Sequence, residues 1–276
     1  MNYGFIKPTI EAKQYVLGNV NVPFKVLKED GDWRDNMRPV KEIQFNDKFD
    51  TYNCTSYNTL NQIEQYMYVA FKETVNYSDR WLGIIAGTKP PGNDPHIVYE
   101  AIRKYGLIPE DMLPYSDDLT SVDEYYSFKG ADMEACYAEG RKWLEKYDFM
   151  HEWCFDPQGN IPNDEKVNNI KASLKASPVS FAVFAWVEDS RGVYIRLGGD
   201  VHWTSCMCYD DLQRVFDSYD PVEKPVDQEI FYAKRIHIEK KTMESKKETL
   251  LTKLWQWFLK EKLIYRAFKI FWIKNK

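Results

Sequence analysis

The chain has 276 residues, of which 44% are hydrophobic and 16% aromatic, and its formal net charge at pH 7 is −5. This length and composition allow a substantial buried core in one or two lobes. The uncharged runs are too short for a membrane-spanning helix, and five cysteines at irregular spacing argue against a disulfide framework.

Apolar residues in the first two thirds of the chain recur at helical spacing and predict four main helices. The predicted helices cover roughly 54–72, 94–104, 133–147 and 164–176. Beyond Pro178 the apolar residues alternate, which predicts strands over 179–187, 192–197, 201–209, 213–219 and 229–238. Helices followed by antiparallel strands give an α+β chain, and a cleft between two lobes would receive side chains from both.

Cys54 is the first candidate for chemistry, because it opens the first predicted helix directly after Asn53, a residue type favoured at helix N-caps. Backbone N–H groups and the helix dipole at such a position favour a thiolate. His202 lies 148 residues downstream in a predicted strand, and Asp217 ends the strand that follows. A thiol at a helix start and a histidine on a strand are the parts of a nucleophile–base pair.

The residues around these candidates resemble the papain-like cysteine peptidases over roughly residues 30–238. The similar stretches in the first half are Asp32-Trp33-Arg34, Pro39-Val40-Lys41, Gln44, the segment from Cys54, Tyr77-Ser78-Asp79, Gly92 to His96, Tyr105-Gly106 and Leu113-Pro114-Tyr115. Those in the second half are Pro178-Val179-Ser180, Gly198-Gly199, the strand around His202 and Asp217-Ser218-Tyr219. More loosely, the chain is similar to divergent papain-like proteins encoded by phages.

The resemblance implies a two-lobed fold, with a helical left lobe, an antiparallel β-sheet or barrel as the right lobe, and an active site in the cleft between them. It implies that Cys54 is the nucleophile, His202 the acid and base, and Asp217 the residue that orients the imidazole. It also implies an oxyanion-hole donor at Gln44 and substrate contacts from Pro95, Ala182 and Trp203. We expect no cofactor and no metal ion.

Three departures from the family's pattern bear on activity. Thr55 follows the nucleophile where the family usually has an aromatic residue, and Asp217 stands where it usually has asparagine. Gln44 lies ten residues before the nucleophile, whereas the family spaces the two six apart. A four-residue loop insertion could restore the geometry, or Asn46 or Asn53 could replace Gln44 as the side-chain donor.

Two functional classes remain open. The first is a thiol hydrolase that cleaves peptide or isopeptide bonds in a protein or peptide substrate, with an amide-forming or cell-wall hydrolase as a near variant. The second is a weak or inactive papain-like fold that serves as a binding or structural module. Other sites have less support: Cys206 and Cys208 share a strand face and fit interior packing, and His151 with Cys154 lacks a second paired motif for zinc.

Residues 240–276 differ in charge from the rest of the chain. They hold 11 Lys/Arg and 3 Asp/Glu, a net charge of +8, which leaves −13 on residues 1–239. Apolar residues at helical spacing predict a basic amphipathic helix that docks on the body or contacts a membrane surface or partner protein through 243–275. We therefore expect a peptidase domain over 1–239, with an N-terminal extension over 1–31, and a helical tail over 240–276.

Neither the acidic body nor the tail contains a recognisable nucleic-acid-binding motif, so we expect no nucleic-acid partner. The stretch from Met1 to Lys13 is charged and lacks the apolar segment of a signal peptide. We therefore expect a reducing, cytoplasmic location, which for a phage protein would be the host cytoplasm or the virion. Because 53 residues precede Cys54, we expect no long inhibitory pro-region.

Overall fold

The structure, a computed structural model, describes residues 4–8, 15–17, 21–36, 43–220 and 222–242. The segment Pro39-Val40-Lys41 and the predicted helical tail from residue 243 lie outside the described residues. The chain divides into a compact unit over Met1–Ile238 and a second unit over Glu239–Lys276, of which residues 239–242 are described. Among the described helices, none is long and apolar enough to cross a membrane.

Helices dominate the first half of the described chain, and strands dominate the second half. The helices are α1 Cys54–Phe71, α2 Asp79–Ile85, α3 Pro95–Tyr105, α4 Val122–Tyr125, α5 Met133–Lys146 and α6 Asn163–Leu174, with 3₁₀ turns at Arg34–Asn36 and Glu110–Met112. The strands are β1 Gly4–Phe5, β2 Gly92–Asn93, β3 Tyr147–Trp153, β4 Val179–Glu188, β5 Tyr194–Tyr209, β6 Gln213–Phe216, β7 Lys224–Asp227 and β8 Ala233–Lys240.

All four predicted helices are confirmed, with ends within two residues of the predicted ones. The prediction missed α2, α4, β1, β2, β3 and β7. α2 has seven residues and α4 has four, which are too few to produce a clear helical period in the sequence. These short elements form because neighbouring parts of the fold supply their apolar contacts.

Six strands form one sheet in the order β3-β8-β4-β5-β6-β7, and β5 also pairs with β7. The pairs β4–β5, β4–β8, β5–β6 and β6–β7 are antiparallel, whereas β5–β7 is parallel. The predicted strands 213–219 and 229–238 are observed with shifted ends, as β6 and β8.

The separation of the predicted strands 192–197 and 201–209 is wrong, because both belong to the single long strand β5. Gly198-Gly199 lies inside β5 rather than in a loop. β4 pairs with β5 on both sides of these glycines. Only Ala185 of β4 lies between the paired residues Phe184 and Trp186, whereas residues 197–200 of β5 lie between Arg196 and Val201, so β5 carries a bulge that contains both glycines.

Helix α1 lies between the sheet and the other helices, and every residue from Cys54 to Met67 is buried. Polar contacts join α1 to the sheet. The Asn58 side-chain amide donates to the Trp203 carbonyl at 2.6 Å, and the Ser205 hydroxyl donates to the Asn58 carbonyl at 2.8 Å. These contacts fix the first turns of α1 against β5, the strand that carries His202.

Candidate active site

Cys54 is the first residue of α1, and its side chain is fully buried. Asn53 occupies the N-cap position, but its side chain accepts no hydrogen bond from the first turn of the helix. The N-cap position of Asn53 is therefore confirmed, and the helix begins without a side-chain cap. The dipole of α1 favours negative charge at the helix N-terminus, where Cys54 lies.

His202 lies on β5 directly opposite Val183 of β4, and its side chain is almost fully buried. The rings of Tyr219 and Trp186 flank the imidazole, with centroid distances of 5.2 Å and 6.0 Å. Its Nε2 atom is 3.7 Å from Oδ1 of Asp217. This distance exceeds a hydrogen bond, so in this conformation the two groups attract each other mainly through charge.

The electrostatic surroundings of His202 indicate an imidazolium. Burial alone would lower the pKa of His202, because it penalises the charged ring. The negative charge of Cys54 as a thiolate and the carboxylate of Asp217 outweigh burial and raise the pKa of His202 to about 10. The fold thus brings Cys54, His202 and Asp217, which are far apart in the sequence, within interacting distance.

Asp217 follows the last residue of β6 and is 1% exposed. Its Oδ1 atom accepts the backbone N–H groups of Tyr219 at 2.7 Å and of Asp220 at 3.3 Å, so the turn itself orients the carboxylate. Burial would raise the pKa of Asp217, but the positive charges of His202 and Lys224 lower it. Asp217 is therefore ionised at neutral pH.

Lys224 is the residue at this site that the sequence analysis missed. It begins β7, is 3% exposed, and holds its Nζ atom 2.8 Å from Oδ2 of Asp217. A lysine in a short, polar stretch resembles an ordinary surface lysine, and only the pairing of β7 with β6 brings it to the carboxylate. Nothing in the sequence distinguishes it from the other lysines.

Gln44 reaches the same region through a small hairpin over residues 45–50, which is closed by a hydrogen bond from the Thr51 N–H to the Gln44 carbonyl at 3.0 Å. The hairpin accommodates the extra residues between Gln44 and the nucleophile. The Gln44 Oε1 atom accepts from the Ser218 hydroxyl at 2.5 Å, and its Nε2 atom donates to Asp50 at 3.2 Å. Asp50 therefore engages the amide nitrogen expected to face an oxyanion.

The two alternative oxyanion donors are engaged in structural contacts. The Asn53 amide nitrogen donates to the Asp79 carbonyl at 2.9 Å and to the Tyr125 hydroxyl at 3.0 Å, which uses both of its hydrogens. Asn46 accepts the Lys48 N–H at 2.8 Å within the hairpin. Gln44 is the one of the three whose side chain contacts a residue adjacent to Asp217.

Two solved structures share this architecture. Xylellain, a cysteine protease from Xylella fastidiosa, superposes with a TM-score of 0.55 at 15% identity, over 88% of this chain and 96% of that one. A digestive procathepsin L 3 from the Tenebrio molitor larval midgut gives a TM-score of 0.50 at 15% identity, over 85% and 76%. The fold is that of the papain-like cysteine proteases. No protein-family model and no curated protein matches the sequence.

In this papain-like fold, the N-terminal strand β1 lies against the candidate nucleophile. β1 pairs in parallel with β2, and Gly4 is opposite Gly92. A methyl group added to the Gly4 Cα would lie 3.1 Å from Cys54 Sγ and 2.6 Å from the Tyr52 carbonyl oxygen. Part of the predicted N-terminal extension therefore covers the thiol.

The predicted substrate contacts lie on the same side. Ala182 and Trp203 are paired across β4 and β5, next to the Val183–His202 pair, and both are fully buried. The ring of Phe5 stacks on the Trp203 indole, with a centroid distance of 5.8 Å and an interplanar angle of 18°. Pro95 is the buried first residue of α3. Phe5 thus occupies the surface for which the resemblance predicts a substrate side chain.

A cavity of about 290 Å³ opens beside His202. Its walls combine aromatic rings with the charged groups around Asp217, and the lining residues are Phe184, Ala185, Trp186, Tyr194, His202, Asp217, Tyr219, Asp220 and Lys224. The cavity lies beside the imidazole, and both ring nitrogens of His202 are buried.

The other cysteines lack the surroundings of a nucleophile. All five cysteines are free thiols and buried. Burial raises the pKa of Cys154 and of Cys208 to about 12, and it also raises the pKa of Cys136 and of Cys206. Interior packing of Cys206 and Cys208 is confirmed. Within the described residues, no three metal-ligating side chains converge on one point.

Proposed function

We propose that this chain is a thiol hydrolase that cleaves peptide or isopeptide bonds in protein or peptide substrates. The observation that carries the proposal is the buried group of Cys54, at the start of α1, His202, and Asp217, whose Oδ1 atom lies 3.7 Å from His202 Nε2; interactions with Cys54 and Asp217 raise the pKa of His202 to about 10. A buried imidazolium beside a thiol at a helix N-terminus is the arrangement that produces a nucleophilic thiolate at neutral pH. The papain-like fold supports the same reaction class.

In the proposed reaction, the Cys54 sulfur attacks the carbonyl carbon of the scissile bond and forms a tetrahedral oxyanion. His202 then donates its proton to the leaving amine, the carbon–nitrogen bond breaks, and a thioester to Cys54 remains. The neutral imidazole next removes a proton from a water molecule, which attacks the thioester. The acid product leaves, and the thiolate–imidazolium pair is restored.

The oxyanion needs donors that are already oriented. We propose that the backbone N–H of Cys54 is the first donor and that the Gln44 amide is the second. The Gln44 amide nitrogen donates to Asp50 in this structure, so its side chain must rotate slightly before it can donate to the oxyanion. Pro95, Ala182 and Trp203 are the proposed substrate contacts, and they become accessible when Phe5 leaves Trp203.

A second candidate function is a binding or structural module that retains the fold with little or no activity. Two observations favour it: β1 lies over Cys54, and the Gln44 amide donates to Asp50 instead of pointing to an empty oxyanion site. In that case the predicted basic helix over 243–275 would provide contact with a membrane or partner.

Site-resolved labelling separates the two functions. The purified chain is treated with an epoxide inhibitor of the papain class and with iodoacetamide from pH 5 to pH 9, and each modified cysteine is quantified by mass spectrometry. A thiol hydrolase should show rapid labelling of Cys54 that persists below pH 6, because the His202 imidazolium maintains the thiolate. Cys54→Ala should abolish the labelling, and His202→Ala should confine it to alkaline pH.

Cys154→Ala is the matched control, because it removes a buried thiol outside the site and should leave the labelling of Cys54 unchanged. Slow labelling spread over several cysteines and insensitive to His202→Ala would exclude the hydrolase and favour the binding module. Hydrolysis of peptide and isopeptide substrate libraries would then distinguish the two bond types.

A further inference from the structure

The ion pair between Asp217 and Lys224 is buried at the centre of the candidate site. Lys224 Nζ lies 2.8 Å from Asp217 Oδ2 and 3.4 Å from Asp220 Oδ2, and it also donates to the Asp220 carbonyl. Its side chain is 3% exposed, and that of Asp217 is 1% exposed. Water therefore screens the pair very little, and the two charges depend on each other.

The register between β7 and β6 sets the position of the Lys224 ammonium group. β7 begins at Lys224 and pairs with β6, where Lys224 is opposite Val215. Val215 is two residues before Asp217, so β7 delivers the ammonium group to the end of β6. The short strand, rather than a flexible surface loop, therefore positions the cation.

The two oxygens of Asp217 have separate partners. Oδ1 accepts the N–H groups of the turn and faces His202 Nε2 at 3.7 Å, whereas Oδ2 faces Lys224. Cys54 as a thiolate and Asp217 each carry one negative charge, and His202 and Lys224 each carry one positive charge. These four buried charges then sum to zero, which lowers the cost of desolvating them, whereas the Asp220 carboxylate near Lys224 is 60% exposed and remains solvated.

We propose that Lys224 is a positioning residue, which keeps Asp217 ionised and fixes the orientation of its carboxylate toward His202. This inference rests on the proposed thiol hydrolase function. An asparagine at position 217 would need no cation, whereas an aspartate buried here does. The lysine and the aspartate therefore act as one unit: loss of Asp217 leaves the buried Lys224 with only the exposed carboxylate of Asp220, and loss of Lys224 leaves the buried Asp217 with only the His202 ring at 3.7 Å.

This unit predicts an unusual pattern in a double-mutant cycle. Asp217→Asn leaves the Lys224 ammonium beside the imidazole, which disfavours the imidazolium. Lys224→Met leaves Asp217 buried without its cation, so that the carboxyl takes up a proton or turns away. The double variant restores neutrality. Each single variant should therefore slow Cys54 labelling at pH 6 by about tenfold or more, and the double variant should label faster than either.

The experiment measures the rate of Cys54 alkylation by iodoacetamide from pH 5 to pH 9 in the full chain and these three variants. Lys224→Arg should retain most of the rate, because it keeps the charge. Lys166→Met is the matched control, since Lys166 is also a largely buried lysine paired with an acid, at 3.4 Å from Glu229 and outside the site. Lys166→Met should leave the pH profile of Cys54 alkylation unchanged.

Nuclear magnetic resonance titration of His202 gives a second readout, and His202→Ala identifies its signal among the four histidines. Both single variants should lower the pH at which the ring loses its proton, and the double variant should raise it again. If Lys224→Met does not fold, the comparison of Asp217→Asn with the double variant still decides the question.

The inference would be overturned if the double variant lost as much Cys54 alkylation rate as the two single variants combined. It would also be overturned if Lys224→Met were less stable but kept the wild-type pH profile of Cys54 alkylation. Failure of the proposed function has a different signature. In that case wild-type Cys54 would label slowly at every pH, and the His202 titration alone would then show whether Asp217 and Lys224 act as a unit.

Discussion

Among single residues outside the candidate site, Lys234 has the most unusual surroundings. It is fully buried, and its Nζ atom lies 2.9 Å from His151 Nδ1, 3.4 Å from His96 Nδ1 and 4.1 Å from the centre of a Trp153 ring. Burial lowers the pKa of Lys234 to about 7. Burial also lowers the pKa of both histidines, to about 4 for His96, so the cluster resists protonation.

The stability of the protein should therefore depend on pH through Lys234. Its pKa is about 7 in the folded protein and 10.5 as its ordinary value, so the unfolded chain binds more protons between these limits. Stability must then fall as the pH falls through this range. We expect the free energy of unfolding of Lys234→Met, relative to that of the wild type, to be about 2 kcal/mol higher at pH 7 than at pH 9.

Urea unfolding at the two pH values measures this effect. Lys142→Met, at an exposed lysine, is the control and should retain the wild-type dependence on pH. If Lys234→Met shows the same pH dependence as the wild type, Lys234 is charged in the folded protein and the assignment is wrong.

At the scale of secondary-structure elements, β1 has the most direct consequence for reactivity. It pairs with β2 through two residues, and so short a strand is weakly held. It nevertheless lies within contact distance of Cys54 and places Phe5 on Trp203. Opening of β1 should therefore precede any reaction of Cys54 with a reagent or substrate.

Gly4→Ala tests this requirement. The added methyl group would collide with the Tyr52 carbonyl oxygen at 2.6 Å, and Gly4 has a φ of +95°, which alanine rarely adopts. We expect β1 to leave its position and Cys54 to label about tenfold faster, which corresponds to about 1.4 kcal/mol of opening free energy.

Gly87→Ala is the matched control. Gly87 also has a positive φ, of +68°, but no atom lies within 4 Å of the position of its added methyl group. It should impose similar backbone strain without changing the labelling rate. Equal labelling rates for the wild type and Gly4→Ala would mean that β1 does not limit access to the thiol.

At the scale of the whole molecule, α1 connects the helices to the sheet through buried polar groups as well as apolar ones. Gln62 is fully buried, and its amide nitrogen donates to the carbonyls of Pro178 at 2.6 Å and Lys234 at 3.0 Å. Its amide oxygen accepts from the hydroxyls of Tyr99 at 2.5 Å and Ser180 at 3.2 Å. One side chain thus joins α1 to α3, β4 and β8.

Gln62→Leu should destabilise the fold by about 2–4 kcal/mol, because it leaves buried carbonyl and hydroxyl groups without partners. Gln65→Leu is the control on the same helix. Gln65 is also buried, but within the described residues its amide oxygen has no hydrogen-bond partner, so we expect a change below about 1 kcal/mol. Urea unfolding compares the two, and equal losses would contradict the assigned role of Gln62.

The predicted tail lies outside the described residues from residue 243 onward. Its role stays a prediction, as do the domain boundary at 239/240 and the similarity to phage-encoded proteins. Its net charge of +8 should favour anionic lipid surfaces. We expect the full chain to co-sediment with anionic vesicles at low salt and a chain ending at residue 242 to remain in solution. Binding that is absent, or equal for the two chains, would favour a docked helix instead.

The sequence by itself determined the elements that depend on local pattern. The period of 3.6 residues gave the four long helices to within two residues, and alternation identified the main strands. Residue type and order were enough to select Cys54, His202 and Asp217, because few side chains can serve as nucleophile, base and orienting group. The structure brings these three residues together.

The tertiary structure decided the features that depend on partners remote in sequence. The contact of Lys224 with Asp217 requires the pairing of β7 with β6, and the contact of β1 with Cys54 requires β2. Burial of Lys234 depends on α3, β3 and β8 packing together. β1, β2 and β7 are too short to leave a periodic signal. The contacts themselves gain their free energy from non-local burial and strand pairing, which no local pattern encodes.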